Sequence, residues 1–483
     1  GIPTASIDNV VISRSSADPT VTISSGSYTV SAFTCDDSLS ITGGALTVNG
    51  TSTINNLSLS GGTLAGSGDV SLAGANTWSG GTIGVGYGGS GSVTLLSGNS
   101  LSLSGSGVKY LDGGKLIIAD GGAAEWTGGN LYLNKSGQVT IQSGGLFDIK
   151  TDADIYNGDN YSPKVTNAGT LRKSGGTVET IIGASSYKVT VDNSGTIDVQ
   201  TGTLTFPGNN TFRDGTQFTG AGVSSVTGGA TLSGSIASAN LNLASGTFSG
   251  TATLGGTTIW SGGTLGSSGD FTIPLNGELT MSGSGVKYLD GGKLTIADKG
   301  AAEWTGGNLY LNKSGQLTIQ SGGLFDIQTD ADVYNGDNYS PVLTNAGTLR
   351  KSEGSGETAI GATSYQVAVN NNGGTIDVQT GVLSVNGSFS TSGAIEVASG
   401  TTFKKNGGFT NAGTIGGTGT IDVGTGNTLT STGTLRPGAS SGDTTGTLSI
   451  TGNLTNSGSV NIELGGTTGG DYDVVAVSGT ANL

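Results

Sequence analysis

Histidine is absent from all 483 residues. Its absence removes His-based metal ligation and every His-dependent nucleophile relay. A single cysteine, Cys35, rules out an internal disulfide, so stability has to come from packing. Lys plus Arg total 19 against 34 Asp plus Glu, a formal charge of -15. A field of that sign repels phosphate, so neither nucleic acid nor an anionic membrane is an expected partner. No apolar run approaches the roughly 20 residues of a membrane span, and no 3.6-residue apolar stripe appears, so spanning and helical readings both fall away. Proline, at 7 residues, is too scarce to punctuate the chain.

Glycine takes that role, with 92 residues. There is no G-X-Y period and the apolar residues recur in phase, so order is expected despite the glycine content. The stretch from Gly107 to Ser174 is written twice. It returns from Gly285 to Ser352 with seven changes: Ile117 to Thr295, Gly121 to Lys299, Val139 to Leu317, Lys150 to Gln328, Ile155 to Val333, Lys164 to Val342 and Val165 to Leu343. Upstream matches, Asn56 with Asn240 and Trp78 with Trp260, show the offset shrinking from 184 to 182 and then 178. Such steps place short indels at turns.

Within each copy a glycine turn is followed two residues later by a large apolar side chain. The apolar members Leu46, Leu64, Ile83, Leu101, Leu116, Leu131, Phe147, Leu171 and Ile197 are spaced 18, 19, 18, 15, 15, 16, 24 and 26 residues apart. The second copy keeps the rhythm from Phe248 to Ile376. A beat of this size belongs to a stacked repeat, whose units cannot bury an apolar face alone. After each beat the chain alternates, placing Leu116, Ile118, Val139 and Ile141 on one strand face. Ile117/Thr295 and Lys150/Gln328 change polarity at outward positions, whereas Val139/Leu317 and Ile155/Val333 stay apolar at inward ones.

The expected fold is therefore all-β, a single-stranded right-handed parallel β-helix (β-solenoid) with one coil per beat. Handedness follows from the general rule for parallel crossovers. About 20 residues per coil would give roughly 24 coils and an elongated rod on the order of 110 Å long. The expected domains are 1–40, N-terminal coils with strands near Asn9–Ile12 and Thr20–Ile23; 41–227, the first copy with irregular joining coils from Thr203 to Ser225 around Pro207, Arg213 and Asp214; 228–383, the second copy; and 384–483, C-terminal coils. Asn-x-Gly-(Thr/Ser)-apolar recurs at Asn167, Asn193, Asn345, Asn372, Asn411 and Asn456, which predicts an asparagine ladder at one left-handed corner.

Candidate sites are few. Asp148–Pro163 and Asp326–Pro341 are the longest coils, and Asp152, Asp154 and Asp159 could offer oxygens to Ca²⁺, although Tyr156 stands where a calcium loop needs a ligand. A solvated acidic loop is the competing reading. Trp78, Trp126, Trp260 and Trp304 precede glycine turns and by alternation belong to the core. Tyr132, Tyr156 and Tyr161 are better placed for surface glycans. Asp36–Asp37 and Arg172–Lys173 are the pairs that suggest catalysis, but strand neighbours point to opposite faces. No catalytic residue, no metal and no cofactor are assigned, and the ligand-binding residues stay unknown.

IPTASIDNVVI at the start, TNAGTL and DNSGTIDVQTGTL within, and LRPGASSGDTTGTLSITGNLTNSGSVNIELGG followed by YDVVAVSGTANL at the close resemble bacterial secreted and surface repeat proteins. They are similar to autotransporter passengers and filamentous-haemagglutinin-like adhesins. That resemblance implies a right-handed parallel β-helix, an extracellular or cell-surface location, and a non-enzymatic structural or adhesive role. Partners would be the protein itself, stacked end to end, or surface glycans. The alternative is a carbohydrate-binding or polysaccharide-cleaving β-helix. The opening reads as mature sequence without a signal peptide, and the strand-like close at Ala481 to Leu483 as a truncation or a pairing edge, so a fragment of a longer protein is expected.

Overall fold

A computed structural model of the chain describes residues 8–14, 18–84, 91–184, 186–266, 269–362, 364–438 and 445–483. The opening IPTASI and residues 439–444 in the motifs quoted above lie outside the described residues. Among the described residues there is no helix, and short strands pair in parallel ladders, rung on rung. The chain forms two compact units, Gly1–Asn242 and Leu243–Leu483. Each is a parallel β-solenoid.

In the first unit, three columns of strands wind past one another. One column stacks Ser92–Leu95, Lys115–Ile118, Gln138–Ile141 and Lys164–Asn167. A second stacks Ser100–Leu103, Ala123–Trp126, Leu146–Ile149 and Thr170–Lys173. The third stacks Gly81–Gly84, Lys109–Asp112, Leu131–Asn134 and Ile155–Tyr156. The second unit repeats the scheme; Lys293–Ile296 stands on Gln316–Ile319, Ala301–Trp304 on Leu324–Ile327, and Lys287–Asp290 on Leu309–Asn312.

Alternation decides what is inside. Leu116, Ile118, Val139 and Ile141 are all buried, as are Leu317 and Val333 in the second copy. Each such side chain contributes about 1.5–3 kcal/mol by leaving water. Ile117 is only half-buried and Lys150 exposed, in keeping with outward positions. Thr295 departs from that expectation. It stands on the outward side, between Thr272 and Thr318 on the rungs before and after, yet it is buried.

The glycine beat marks corners, not coils. At the start of the first unit the two coincide: Leu46 stands on Tyr28, Leu64 on Leu46 and Ile83 on Leu64, at the spacing of the beat. Here Gly44, Gly62 and Gly81 have φ of 68°, 66° and 83°, and a Cβ on each would lie 2.4, 2.4 and 2.7 Å from the carbonyl oxygen of Gly26, Gly44 and Gly62 on the rung before. No residue with a side chain fits that corner. Beyond Gly84 the coil lengthens, so that Leu111 is the next residue on Ile83 and Leu116 the next on Val93. Extra turns now carry glycines of their own. Leu101, Leu116 and Leu131, 15 residues apart, therefore fall in three different columns. One coil per beat is thus wrong from Ile83 to Phe147. It holds again where Leu171 stands on Phe147 and Ile197 on Leu171.

Two further expectations need correction. The segment from Thr203 to Ser225 is not irregular: Thr203–Phe206, Asn210–Phe212 and Gln217–Thr219 are ordinary rungs, and Phe206, Phe212 and Phe218 pack edge to face between them. Pro207 and Asp214 occupy turns beside these rungs, and a turn does not need the missing N–H. The asparagine ladder exists, but its members are inward, at strand ends, with ordinary backbone. Asn167 donates to Asn193 Oδ1 at 2.6 Å, Asn193 to Thr216 Oγ1 at 3.1 Å, Asn345 to Asn371 Oδ1 at 2.8 Å and Asn411 to Ser431 Oγ at 3.3 Å. Asn372 is exposed; the extra residue before Gly373 shifts the inward place to Asn371. Asn167 Oδ1 has no partner, because the rung before it offers only Ile141.

Candidate functional site

The long acidic coils do not assemble a cation site. Asp152 is held by Lys173 Nζ at 2.9 Å and by the backbone N–H groups of Thr177 and Val178. Asp154 accepts from the N–H of Ile181 at 2.8 Å and from the Tyr156 hydroxyl. Asp159 accepts from the N–H groups of Lys135 and Tyr161. Each carboxylate serves a different turn. Among the described residues no three acidic or cysteine side chains gather where a metal could sit.

Four lysines reach the interior, which composition alone does not announce. Lys109 and Lys173 in the first unit, and Lys287 and Lys351 in the second, are fully buried. Lys173 Nζ meets Thr151 O, Asp152 Oδ1, Gly175 O and Thr180 Oγ1 at 2.9–3.1 Å. Lys109 Nζ meets only the carbonyls of Gly107 at 3.1 Å and Gly128 at 2.7 Å. Burial pushes the ammonium of Lys109 down to about 8, and that of Lys287 likewise. The signal in the sequence was phase: in Val-Lys-Tyr-Leu-Asp, Lys109 shares a side with buried Leu111.

Arg172 and Lys173, a suggestive pair in the sequence, point opposite ways. Arg172 faces out and binds Asp148 at 2.7 Å in a column that runs Glu125, Asp148, Arg172, Asp198. Burial raises the Asp148 carboxyl, but hydrogen bonds from Arg172 and Ser174 outweigh it and hold the group below the ordinary carboxylate range. Asp326 with Arg350 and Gln328 repeats this in the second unit. Asp36 and Asp37 also separate, Asp36 exposed and Asp37 buried. Neither pair can act as a catalytic couple.

A different carboxylate pair is assembled by stacking. Asp377 and Glu396 hold the same place in TIDV and AIEV and stand in register on successive rungs, bordering a cleft of about 270 Å³. Glu396 is raised by burial, and Arg436 opposes that by reaching over Gly416 to both carboxylate oxygens at 2.8 and 2.9 Å. Reading adjacent residues missed this pair; reading the same position in consecutive rungs would have found it.

The tryptophans are core residues, all four with no exposed surface. Trp126 Nε1 donates to the turn carbonyls of Gly128 and Gly129, and Trp304 Nε1 to that of Gly307. Tyr132 and Tyr156 face outward in one column with Tyr110, ring centroids 5.4 and 4.9 Å apart; Tyr288, Tyr310 and Tyr334 repeat it. Most of each ring face is therefore turned to a neighbouring ring. Tyr161 is different. It is 46% exposed, as is Tyr187 on the following coil, and their equivalents Tyr339 and Tyr365 are 61% and 47% exposed on the rim of a cleft of about 280 Å³.

No protein-family model matches the chain, and no curated protein matches it. Among solved structures, the crystal structure of a TibC-catalyzed hyper-glycosylated TibA fragment is similar at 15% identity over 89% of this chain and 99% of that chain, with a TM-score of 0.22. The fold assignment rests on the strand ladders of this chain.

Proposed function

We propose that the chain is a non-enzymatic structural and adhesive solenoid of a bacterial cell surface or extracellular matrix, acting through the surface it displays. One observation supports this above the others: the outward columns are built for presentation. More than half of the lysines and arginines are taken up in coil-to-coil ion pairs such as Arg172–Asp148, Arg213–Asp192 and Lys313–Asp290, while threonine, serine, asparagine and tyrosine recur between them at fixed heights. Rungs held by their neighbours give a surface whose spacing is set by the backbone ladder. Beads coated with the full chain should adhere to cells or matrix glycans, and beads coated with denatured chain should not. Equal adhesion by both would overturn the reading. End-to-end assembly of copies belongs to the same proposal; single particles alone in electron micrographs at high concentration would remove that part.

The Asp377–Glu396 cleft favours a second reading, polysaccharide cleavage, because it pairs a raised acid with a second carboxylate. Release of reducing ends that Glu396→Gln abolishes would establish it. No release across neutral and acidic polysaccharides leaves the scaffold reading in place.

A further inference from the structure

Paired tyrosines flank the long coil in each unit, Tyr161 with Tyr187 and Tyr339 with Tyr365. Their positions are fixed with some care. In the second unit Asn335, almost fully buried, donates through Nδ2 to Tyr339 O at 2.9 Å and to Gln366 O at 3.1 Å. Its Oδ1 accepts from the N–H of Asp337, whose carboxylate in turn holds the N–H of Tyr339 at 3.2 Å and that of Lys313 at 2.7 Å. One amide thus ties the loop carrying Tyr339 to the coil carrying Tyr365. The first unit is built the same way: Asn157 joins Tyr161 O at 2.9 Å to Lys188 O at 3.3 Å, and Asp159 holds the N–H groups of Tyr161 and Lys135.

Copying explains part of this likeness but not all of it. Tyr187 and Tyr365 lie beyond the nearly identical stretch, where Ile181, Lys188 and Thr190 are replaced by Ala359, Gln366 and Ala368. The tyrosine stays where some of its neighbours, Lys188 and Thr190 among them, change and others, Ser186 and Val189, do not. Between the two rings of the second unit, Ser340, Ser364, Gln366 and Ser388 line the cleft with hydroxyl and amide groups, and no ionised side chain lines it. An aromatic ring at either side and neutral donors and acceptors between them match a ligand with apolar ring faces and many hydroxyls. The backbone that carries the rings is held by a buried asparagine before any ligand arrives, which lowers the entropy lost on binding.

We propose that the cleft between Tyr339 and Tyr365 binds a neutral oligosaccharide of hexopyranose units, its sugar faces against the two rings and its hydroxyls on Gln366 and the serines, and that Tyr161 and Tyr187, with Lys188 where Gln366 stands, form the corresponding site in the first unit. This rests on the adhesive reading and names its ligand class. The test is calorimetric titration of the full chain with maltohexaose, cellohexaose, mannohexaose and galactohexaose. At least one of them binds, Tyr339→Ala and Tyr365→Ala each weaken binding to the second unit about tenfold, and the Tyr→Phe variants stay within about twofold, because stacking needs the ring and not the hydroxyl. These rings are exposed, so the alanine variants keep the melting temperature of the parent. Failure of all four sugars to bind, or binding unchanged when Tyr161, Tyr187, Tyr339 and Tyr365 are all alanine, would overturn the sites. Bead adhesion by that quadruple variant separates the two levels: adhesion retained with sugar binding never seen removes the clefts and spares the adhesive role. Sugar binding without any bead adhesion does the reverse.

Discussion

Lys109 and Lys173 are the same residue type, in one block, with the same complete burial, yet they are opposite cases. Lys173 is met by a carboxylate, a hydroxyl and two carbonyls, while Lys109 is met by two carbonyls and, among the described residues, by no carboxylate. The difference teaches that burial does not set the worth of a charge; its partners do. An ammonium with a full set of acceptors braces the coil around it, because it ties a hydroxyl, two carbonyls and a carboxylate to one point. An ammonium with half a set is a strain that the surrounding packing sustains.

Substitution by methionine, which keeps the length and drops the charge, should split the pair. Lys173→Met removes the donor from Gly175 O and one of the donors from Asp152 and Thr151 O, and is expected to destabilise the first unit by about 1–3 kcal/mol. Amide exchange across Thr170–Lys173 reads this directly, and a loss below about 1 kcal/mol would refute the bracing role. Lys109→Met should do the opposite, gaining about 1–3 kcal/mol near neutral pH, since Gly128 O keeps a donor in Trp126 Nε1.

The same lysine has a pH signature. Its folded value of about 8 lies below the ordinary 10.5, so between those two the unfolded chain holds a proton that the native one has released. Stability should therefore rise as pH climbs from about 8 to about 10.5, and Lys109→Met should flatten that rise in the first unit. A rise that persists in the variant would assign it elsewhere. The smallest contrast lies in the second unit: Asn371→Ala breaks the inward ladder and should cost about 1–2 kcal/mol, whereas Asn372→Ala, one residue on and exposed, should cost almost nothing.

Much of this was legible in the sequence, and the exceptions share a cause. Period-2 alternation located Leu116, Ile118, Val139 and Ile141 correctly because a strand has only two sides. It failed on coil length because glycine signals a corner without saying which one, so Leu101, Leu116 and Leu131 looked like one column and are three. Lys109 went unnoticed since residue type was weighed before phase. Asn371 was displaced by one inserted residue that a motif search places on Asn372. Asp377 and Glu396 needed the register between rungs, which exists only once the coil lengths are known. Whatever depends on one strand could be read directly; whatever depends on two needed the structure.

The coils change length while their columns stay in line, from the short steps at Leu46 and Leu64 to the longer one between Ile83 and Leu111. A protein built this way can lengthen an outer loop without rewriting its interior, because the ladder on either side restores the phase. The long acidic coil, bracketed by regular rungs and tied down by Asn157 or Asn335, is where foreign peptide could be spliced in, turning the solenoid into a carrier with a defined place for a grafted epitope.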